Sequence, residues 1–307
     1  MRRMSEPIVF FGNERLATGV STTAPTLKKL ISAGYTIAAV VANDEGTVSR
    51  KQRTLEVAEV AREHGIPVLI PKRLRDIQET LSSFGAQAGV LVAYGKIVPQ
   101  SIIDLFPRGI INIHPSLLPL HRGPTPIESV ILDGSTQTGV SLMQLVKAMD
   151  AGPTYAQQPV SLTGHEAKQD LADRLLDLGG TMLLEILPRL LDGSAVKTMQ
   201  DDSVATYDSL ISKDESVINW HKPAYQIERE IRAFKGWPGS STVIADKDVV
   251  VTQAHVVDQS GTPGTFTKIN KQLVAFCGEN ALVIDFLKPA GKKEMTGQAF
   301  LAGHKNL

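Results

Sequence analysis

Residues 111–119 read Ile111-Asn112-Ile113-His114-Pro115-Ser116-Leu117-Leu118-Pro119. The apolar run from Gly109 to Ile113 predicts a short buried strand. His114-Pro115 ends it, because proline cannot donate to a sheet ladder and pushes the preceding residue toward extended backbone. Asn112 and His114 stand two apart on that strand and so share a face. An amide beside an imidazole at the carboxyl end of a strand is where an open α/β sheet places its ligand crevice. Leu117 and Leu118, between Ser116 and Pro119, form an apolar loop suited to a wall against a flat ring. A second apolar run, GVSLMQLV from Gly139 to Val146, predicts another buried strand, with Asp150 in the loop after it. If the two strands are neighbours, Asp150 reaches His114. Singly, each residue has a plainer reading: a loop histidine, a turn amide, a helix cap. Together, at matching strand ends, they point to chemistry.

Outward from this stretch, apolar runs alternate with helical segments. Strands are expected at 8–11, 36–42, 66–70 and 88–93, the last turning out at Tyr94-Gly95. Helices are expected at 26–33, 55–64, 74–84, near 99–106 and at 127–132. An extended segment follows at 153–160. A long helical pattern runs from Glu166 to Leu191, with Gly179-Gly180 as its weak point. Such alternation argues for βαβ units and a parallel sheet. Gly12 and Gly19 do not form a G-x-G-x-x-G fingerprint, which disfavours a nicotinamide-dependent dehydrogenase.

The polar stretch that follows, carrying Asp201-Asp202-Ser203, has little period and reads as a linker. Beyond it come an amphipathic helix (Tyr225 to Phe234) and short strands at 241–245, 249–257, 273–277 and 281–287. Gly, Pro and Asp turns between them suggest a small barrel. The expected organisation is an α/β domain over residues 1–195, a linker over 196–213 and a barrel domain over 214–307.

The 32 basic residues balance the 32 acidic ones, so net charge gives no support for a nucleic-acid partner. Local basic groups remain: Arg50, Lys51 and Arg53 in the polar loop after Asn43, and Lys292-Lys293 in an exposed loop. Each reads either as a solvated loop or as a contact to phosphate. The single cysteine, Cys277, excludes an internal disulfide, suits a reducing cytoplasm and reads as a packed core thiol. The N-terminus has a basic pair but no apolar run of signal-peptide length after it, and no membrane span is expected. His114 and His121 lack a carboxylate at ligand spacing and make a poor metal pair.

These residues, with others along the chain, resemble the methionyl-tRNA formyltransferase family. The resembling parts are VLVAYGKIVP (Val90 to Pro99), INIHPSLLP, RGPTPI (Arg122 to Ile127), TGVSLMQLVKAMDAGP (Thr138 to Pro153), ATYDSLISKDESVINW (Ala205 to Trp220), IRAFKGWPGS (Ile231 to Ser240) and LKPAGKKEM (Leu287 to Met295). The central pieces mark the wider formyltetrahydrofolate-dependent group. The WPG and PAGKK pieces single out the tRNA enzyme. The resemblance implies a Rossmann-like formyltransferase domain joined to an OB-like β-barrel. It implies transfer of a formyl group from 10-formyltetrahydrofolate to the amino group of initiator methionyl-tRNA, without a metal, by a cytoplasmic monomer. Carried over by position, Asn112, His114 and Asp150 are catalytic. Ser116, Leu117, Leu118 and Pro119, with Val92, Tyr94 and Gly95, bind the folate. Arg50, Lys51, Arg53, Lys292 and Lys293 face the tRNA. The loop from Asn43 to Arg53 departs from the family's longer Gly- and Pro-punctuated loop but keeps its basic charge. Two relatives would share the same catalytic set: a glycinamide ribonucleotide enzyme, which typically lacks the second domain, and a sugar-nucleotide enzyme, which should lack WPG and PAGKK. A catalytically silent folate or RNA binder would have no need of a general base.

Overall fold

The computed structural model describes residues 6–43 and 55–304. Five short apolar strands run parallel: β1 (Ile8–Gly12), β2 (Ile37–Val41), β3 (Val68–Leu69), β4 (Ala88–Val92) and β5 (Ile110–His114). Every residue of β1, β4 and β5 is buried. Strands without alternation are what a sheet covered on both faces requires. Between them lie α1 (Pro25–Ser32), α2 (Glu56–Glu63), α3 (Gln78–Ser83, entered through a 3-10 turn at Leu74–Ile77) and α4 (Gln100–Ile103). Phe11 anchors one layer of the core, meeting the rings of Tyr94 and Phe106 edge-on at 6.1 and 5.8 Å.

The sheet order is β3-β2-β1-β4-β5-β6-β7. Here β6 is Gln137–Gln144 and β7 is Thr154–Ser161, and both pair antiparallel. The strand expected at 139–146 is therefore present, shifted toward its N-terminus, and it neighbours β5 with His114 opposite Ser141. Winding proceeds outward from β1 in one direction and then, from β4, in the other. That reversal opens a crevice at the carboxyl ends of β1 and β4.

The long helix α6 (Lys168–Asp192) continues through Gly179-Gly180 without a break. The two glycines are not a weak point but a close-packing device. A Cβ at Gly179 would stand 2.4 Å from Cγ2 of Ile113, and one at Gly180 would stand 3.1 Å from Cδ of Lys29. The helix can therefore lie directly against β5 and α1, at a cost in helix propensity of about 1 kcal/mol per glycine.

The chain divides into two compact units. The first comprises Met1–Pro126, Gln137–Leu162 and Gln169–Ser209; the second comprises Ile127–Thr136, Thr163–Lys168 and Leu210–Leu307. The second unit thus draws in the helix α5 (Pro126–Asp133) as well as the C-terminal sequence. Its sheet is antiparallel, with β8 (Ser240–Ile244), β9 (Lys247–Val257), β10 (Phe266–Ile269), β11 (Gln272–Phe276) and β12 (Ala281–Pro289) in the order β10-β11-β12-β9-β8. A short β13 (Met295–Thr296) pairs with β12. The amphipathic α7 (Ala224–Ala233) and α8 (Gly297–Ala302) share its core, which includes Ile227, Ile231, Val251, Leu282, Ile284 and Phe300. Strands β10 and β13 and helix α8 were not expected. Cys277 lies in this core, 3% exposed, and burial pushes its thiol up to about 11. Among the described residues no helix is long and apolar enough to cross a membrane.

Candidate active site

Strand β5 delivers Asn112 and His114 to one face at its carboxyl end, 6% and 4% exposed. His114 Nε2 lies 2.9 Å from the carbonyl oxygen of His121. A carbonyl can only accept, so Nε2 carries the hydrogen. That leaves Nδ1 turned toward Asp150, whose Oδ2 stands 3.8 Å away, beyond hydrogen-bonding distance. The same Oδ2 accepts the backbone N–H of Gly123 at 2.8 Å. Asn112 keeps its side-chain amide uncommitted to any protein hydrogen bond among the described residues. The three residues expected to converge therefore do so.

Around them is a cleft of about 520 Å³, lined among others by Leu16, Ala17, Asn43, Tyr94, Gly95, Asn112, His114, Gly123 and Asp150. This volume lies within the usual range for small-molecule sites. Asn43, on the lining, is tied reciprocally to Asn13: Asn13 Nδ2 donates to Asn43 O at 2.7 Å, and Asn43 N donates to Asn13 Oδ1 at 3.0 Å. Burial of Tyr94 pushes its phenol up to about 12, so it serves as a neutral wall.

Val92 does not reach the cleft; it is a fully buried β4 residue whose carbonyl accepts the N–H of Glu14. The loop Ser116-Leu117-Leu118-Pro119 also lies off the cleft lining. Its backbone polar groups are satisfied elsewhere. Ser141 Oγ donates to Ser116 O at 2.7 Å and accepts from Leu118 N at 3.0 Å. Gln157 Nε2 donates to Leu118 O at 2.7 Å. These partners on β6 and β7 draw the loop over the antiparallel edge of the sheet, where Leu117 packs on Gly139. Arg50, Lys51 and Arg53 lie outside the described residues. Lys292 and Lys293 are exposed on the turn between β12 and β13.

Several residues here take contacts that the sequence did not signal. Gln200, read as part of a linker, donates from Nε2 to the carbonyls of Asp150 and Gly152, both at 2.7 Å. Arg122, 1% exposed, reaches Gln200, Asp202 and Tyr207. His121 Nδ1 lies 3.3 Å from Asp208 Oδ1. Glu14, 1% exposed, accepts the N–H groups of Thr26 and Leu27 at 2.8 Å each at the start of α1. Burial raises its carboxyl to about 7 despite those two hydrogen bonds. Among the described residues, no group of three or more His, Cys, Asp or Glu is placed to hold a metal ion.

Residues 10–187 match the formyl transferase family, and residues 210–305 match the formyl transferase C-terminal domain. The methionyl-tRNA formyltransferase of Chloroflexus aggregans is 38% identical over 306 residues, covering 96% of both chains. The chain belongs to the methionyl-tRNA formyltransferase family. The enzyme of that name from Magnetococcus marinus is 35% identical, over 97% of this chain and 95% of its own. In fold, this family member also resembles HypX from Aquifex aeolicus, solved in complex with tetrahydrofolic acid. That likeness has a TM-score of 0.67 at 14% identity, over 96% of this chain but 46% of the HypX chain. The chain thus spans about half of HypX, and the likeness speaks for the fold alone.

Proposed function

We propose that this chain transfers the formyl group of 10-formyltetrahydrofolate to the amino group of initiator methionyl-tRNA. The observation that carries the reading is the convergence of Asn112, His114 and Asp150 on one cleft, in a chain that matches methionyl-tRNA formyltransferases over nearly its whole length. The folate enters the cleft beside Tyr94 and Gly95, with Val92 buried on the strand that ends there, and in this reading the Ser116 to Pro119 loop, which starts one residue past Pro115 of the cleft lining, is its further binding segment.

The amine reaches the site as an ammonium and must lose a proton before it can attack. Asp150 accepts that proton, directly or through water, and His114 Nδ1 beside it allows the pair to hold it. The amine nitrogen then bonds to the formyl carbon, and the carbonyl π pair moves onto oxygen. The uncommitted N–H of Asn112 faces that oxyanion, while His114, fixed through its Nε2–H on the carbonyl of His121, keeps Nδ1 beside Asp150. Fixed donors of this kind are usually the largest catalytic contribution in acyl transfer. Collapse breaks the bond to the folate nitrogen, which takes up a proton as the attacking nitrogen loses its second one. No step requires a metal.

In this reading residues 1–195 carry the chemistry, 196–213 connect, and 214–307 form an OB-like domain that meets the tRNA through Lys292 and Lys293, with Arg50, Lys51 and Arg53 as further phosphate contacts. The protein works as a monomer in the cytoplasm, in keeping with its single buried thiol. The test is discharge of 10-formyltetrahydrofolate by the purified protein. Discharge is expected only with charged initiator tRNA present, giving formylmethionyl-tRNA one for one. Equal discharge without tRNA, or preferential formylation of an amino sugar nucleotide, overturns the reading.

A further inference from the structure

Asp150 sits at φ 48°, in the left-handed region that a non-glycine residue enters only against backbone strain. Something must hold it there. Gly152, two residues on, is pressed so closely on β6 that a Cβ would stand 1.8 Å from the carbonyl oxygen of Gln144. On the other side of the same turn, the Gln200 side chain caps both Asp150 O and Gly152 O. The orientation of that amide is dictated by its neighbours. Its Oε1 faces Nε and Nη2 of Arg122, at 3.1 and 2.8 Å, which can only donate. Its Nε2 faces two carbonyls, which can only accept.

Arg122 is itself fixed. Its guanidinium donates to Asp202 Oδ1 at 2.6 Å and to Tyr207 Oη at 2.8 Å. Its backbone N–H donates to Thr206 O at 2.9 Å, and its carbonyl accepts from Asp208 N at 2.8 Å. The residues on either side of it in the chain hold the other two groups. The carbonyl of His121 takes the Nε2–H of His114, and the N–H of Gly123 meets the carboxylate of Asp150.

We infer that Arg122 and Gln200 are positioning residues for formyl transfer: together they form a strut that sets the backbone of Asp150 and, through the flanking peptide units, its distance to His114. This rests on the reading of Asp150 and His114 as catalytic. The stretch around Gln200 then braces the turn that carries Asp150 from outside the cleft lining and is not a passive tether. A displacement of the order of 1 Å in a reacting group can cost about a hundredfold in rate. The strut therefore acts on kcat and leaves substrate binding nearly untouched.

The test compares Gln200→Glu, Gln200→Ala and Asp150→Ala, singly and combined, by steady-state formylation of charged initiator tRNA. Gln200→Glu retains an acceptor oxygen for both N–H groups of Arg122 and so keeps the segment anchored, but it turns an oxygen toward the carbonyls of Asp150 and Gly152. Both Gln200 variants are expected to lower kcat about tenfold to a hundredfold, with KM for folate and for tRNA changed less than about threefold. Thermal unfolding of Gln200→Glu should stay near that of the unaltered protein. Adding Gln200→Ala to Asp150→Ala should cost nothing more, because residues acting as one unit are not additive. If Gln200→Glu retains full kcat while Asp150→Ala loses it, the strut is overturned and the catalytic reading stands. Fully additive losses overturn the strut in the same way. If Asp150→Ala itself retains kcat, the catalytic reading falls and takes the strut with it.

Discussion

Two regions of this molecule hold non-glycine residues in the left-handed conformation for opposite reasons. In the second unit, Ala245 and Asp246 have φ 49° and 57°, and Asn270 and Lys271 have 50° and 67°. Each pair is the two-residue turn of a hairpin, closing Ile244 on Lys247 and Ile269 on Gln272. A two-residue turn that matches the twist of its strands needs positive φ at both central positions, so the cause is local. At the cleft, Ala93, His121 and Asp150 have φ 49°, 57° and 48°. No hairpin demands this. Those residues are held by hydrogen bonds to parts of the chain far away in sequence: the N–H of His121 donates to Thr206 Oγ1 at 2.7 Å, and Gln200 Nε2 donates to Asp150 O. The same backbone cost serves register in one place and the aim of catalytic groups in the other.

The sharpest break of this comparison is at the reacting groups. Asp150→Asn and His114→Ala should each lower kcat by about a hundredfold to ten-thousandfold, and Asn112→Ala by about a hundredfold to a thousandfold. Circular dichroism and thermal unfolding should show each variant folded. Near-normal formylation by any one of them removes that residue from the mechanism.

Glu14 tests the buried polar ground beneath the cleft. Its carboxyl is raised from the usual 4.5 to about 7 by burial. The folded state therefore holds the proton more tightly than the unfolded one. The corresponding stability, about 3 kcal/mol, is complete below pH 4.5 and is lost as the pH rises through 7. Urea unfolding at pH 5 and pH 8 should show this decline, and Glu14→Gln should flatten it. A pH slope unchanged by the substitution would mean that Glu14 is not the titrating group.

The second unit should respond differently. Neutralising Lys292 and Lys293 together should weaken tRNA binding by roughly tenfold and reduce its dependence on salt, since each phosphate contact contributes about one to that slope. An unaltered slope removes that turn from the interface. The smallest effect is expected at the hairpin. Asp246→Gly should raise stability by about 0.5–1 kcal/mol and leave kcat unchanged, because relief there is purely local. A loss of activity would show that the turns of the second unit are not merely structural.

The buried strands were legible because a sheet covered on both faces imposes a continuous apolar run, and β1, β4 and β5 carry one. Asn112 and His114 were legible because strand alternation alone puts them on one face. Gly179-Gly180 misled because a helix-weakening residue and a close-packing residue look alike until the neighbour is known. Here the neighbours are Ile113 and Lys29. The apolar character of the loop from Ser116 to Pro119 is visible in the sequence; its backbone partners, Ser141 and Gln157, are not.

The order of elements, the residues at the end of β5 and the acidic residue after β6 all follow from patterns a few residues long. Physical rules of period and turn chemistry act at that range. The antiparallel turn of the sheet at β6, the proton position on His114 and the clamp from Gln200 onto Asp150 do not. Each depends on donors and acceptors brought together from distant parts of the chain. A polar glutamine in an aperiodic stretch acquires its meaning only when folding sets two carbonyls and a buried guanidinium against it.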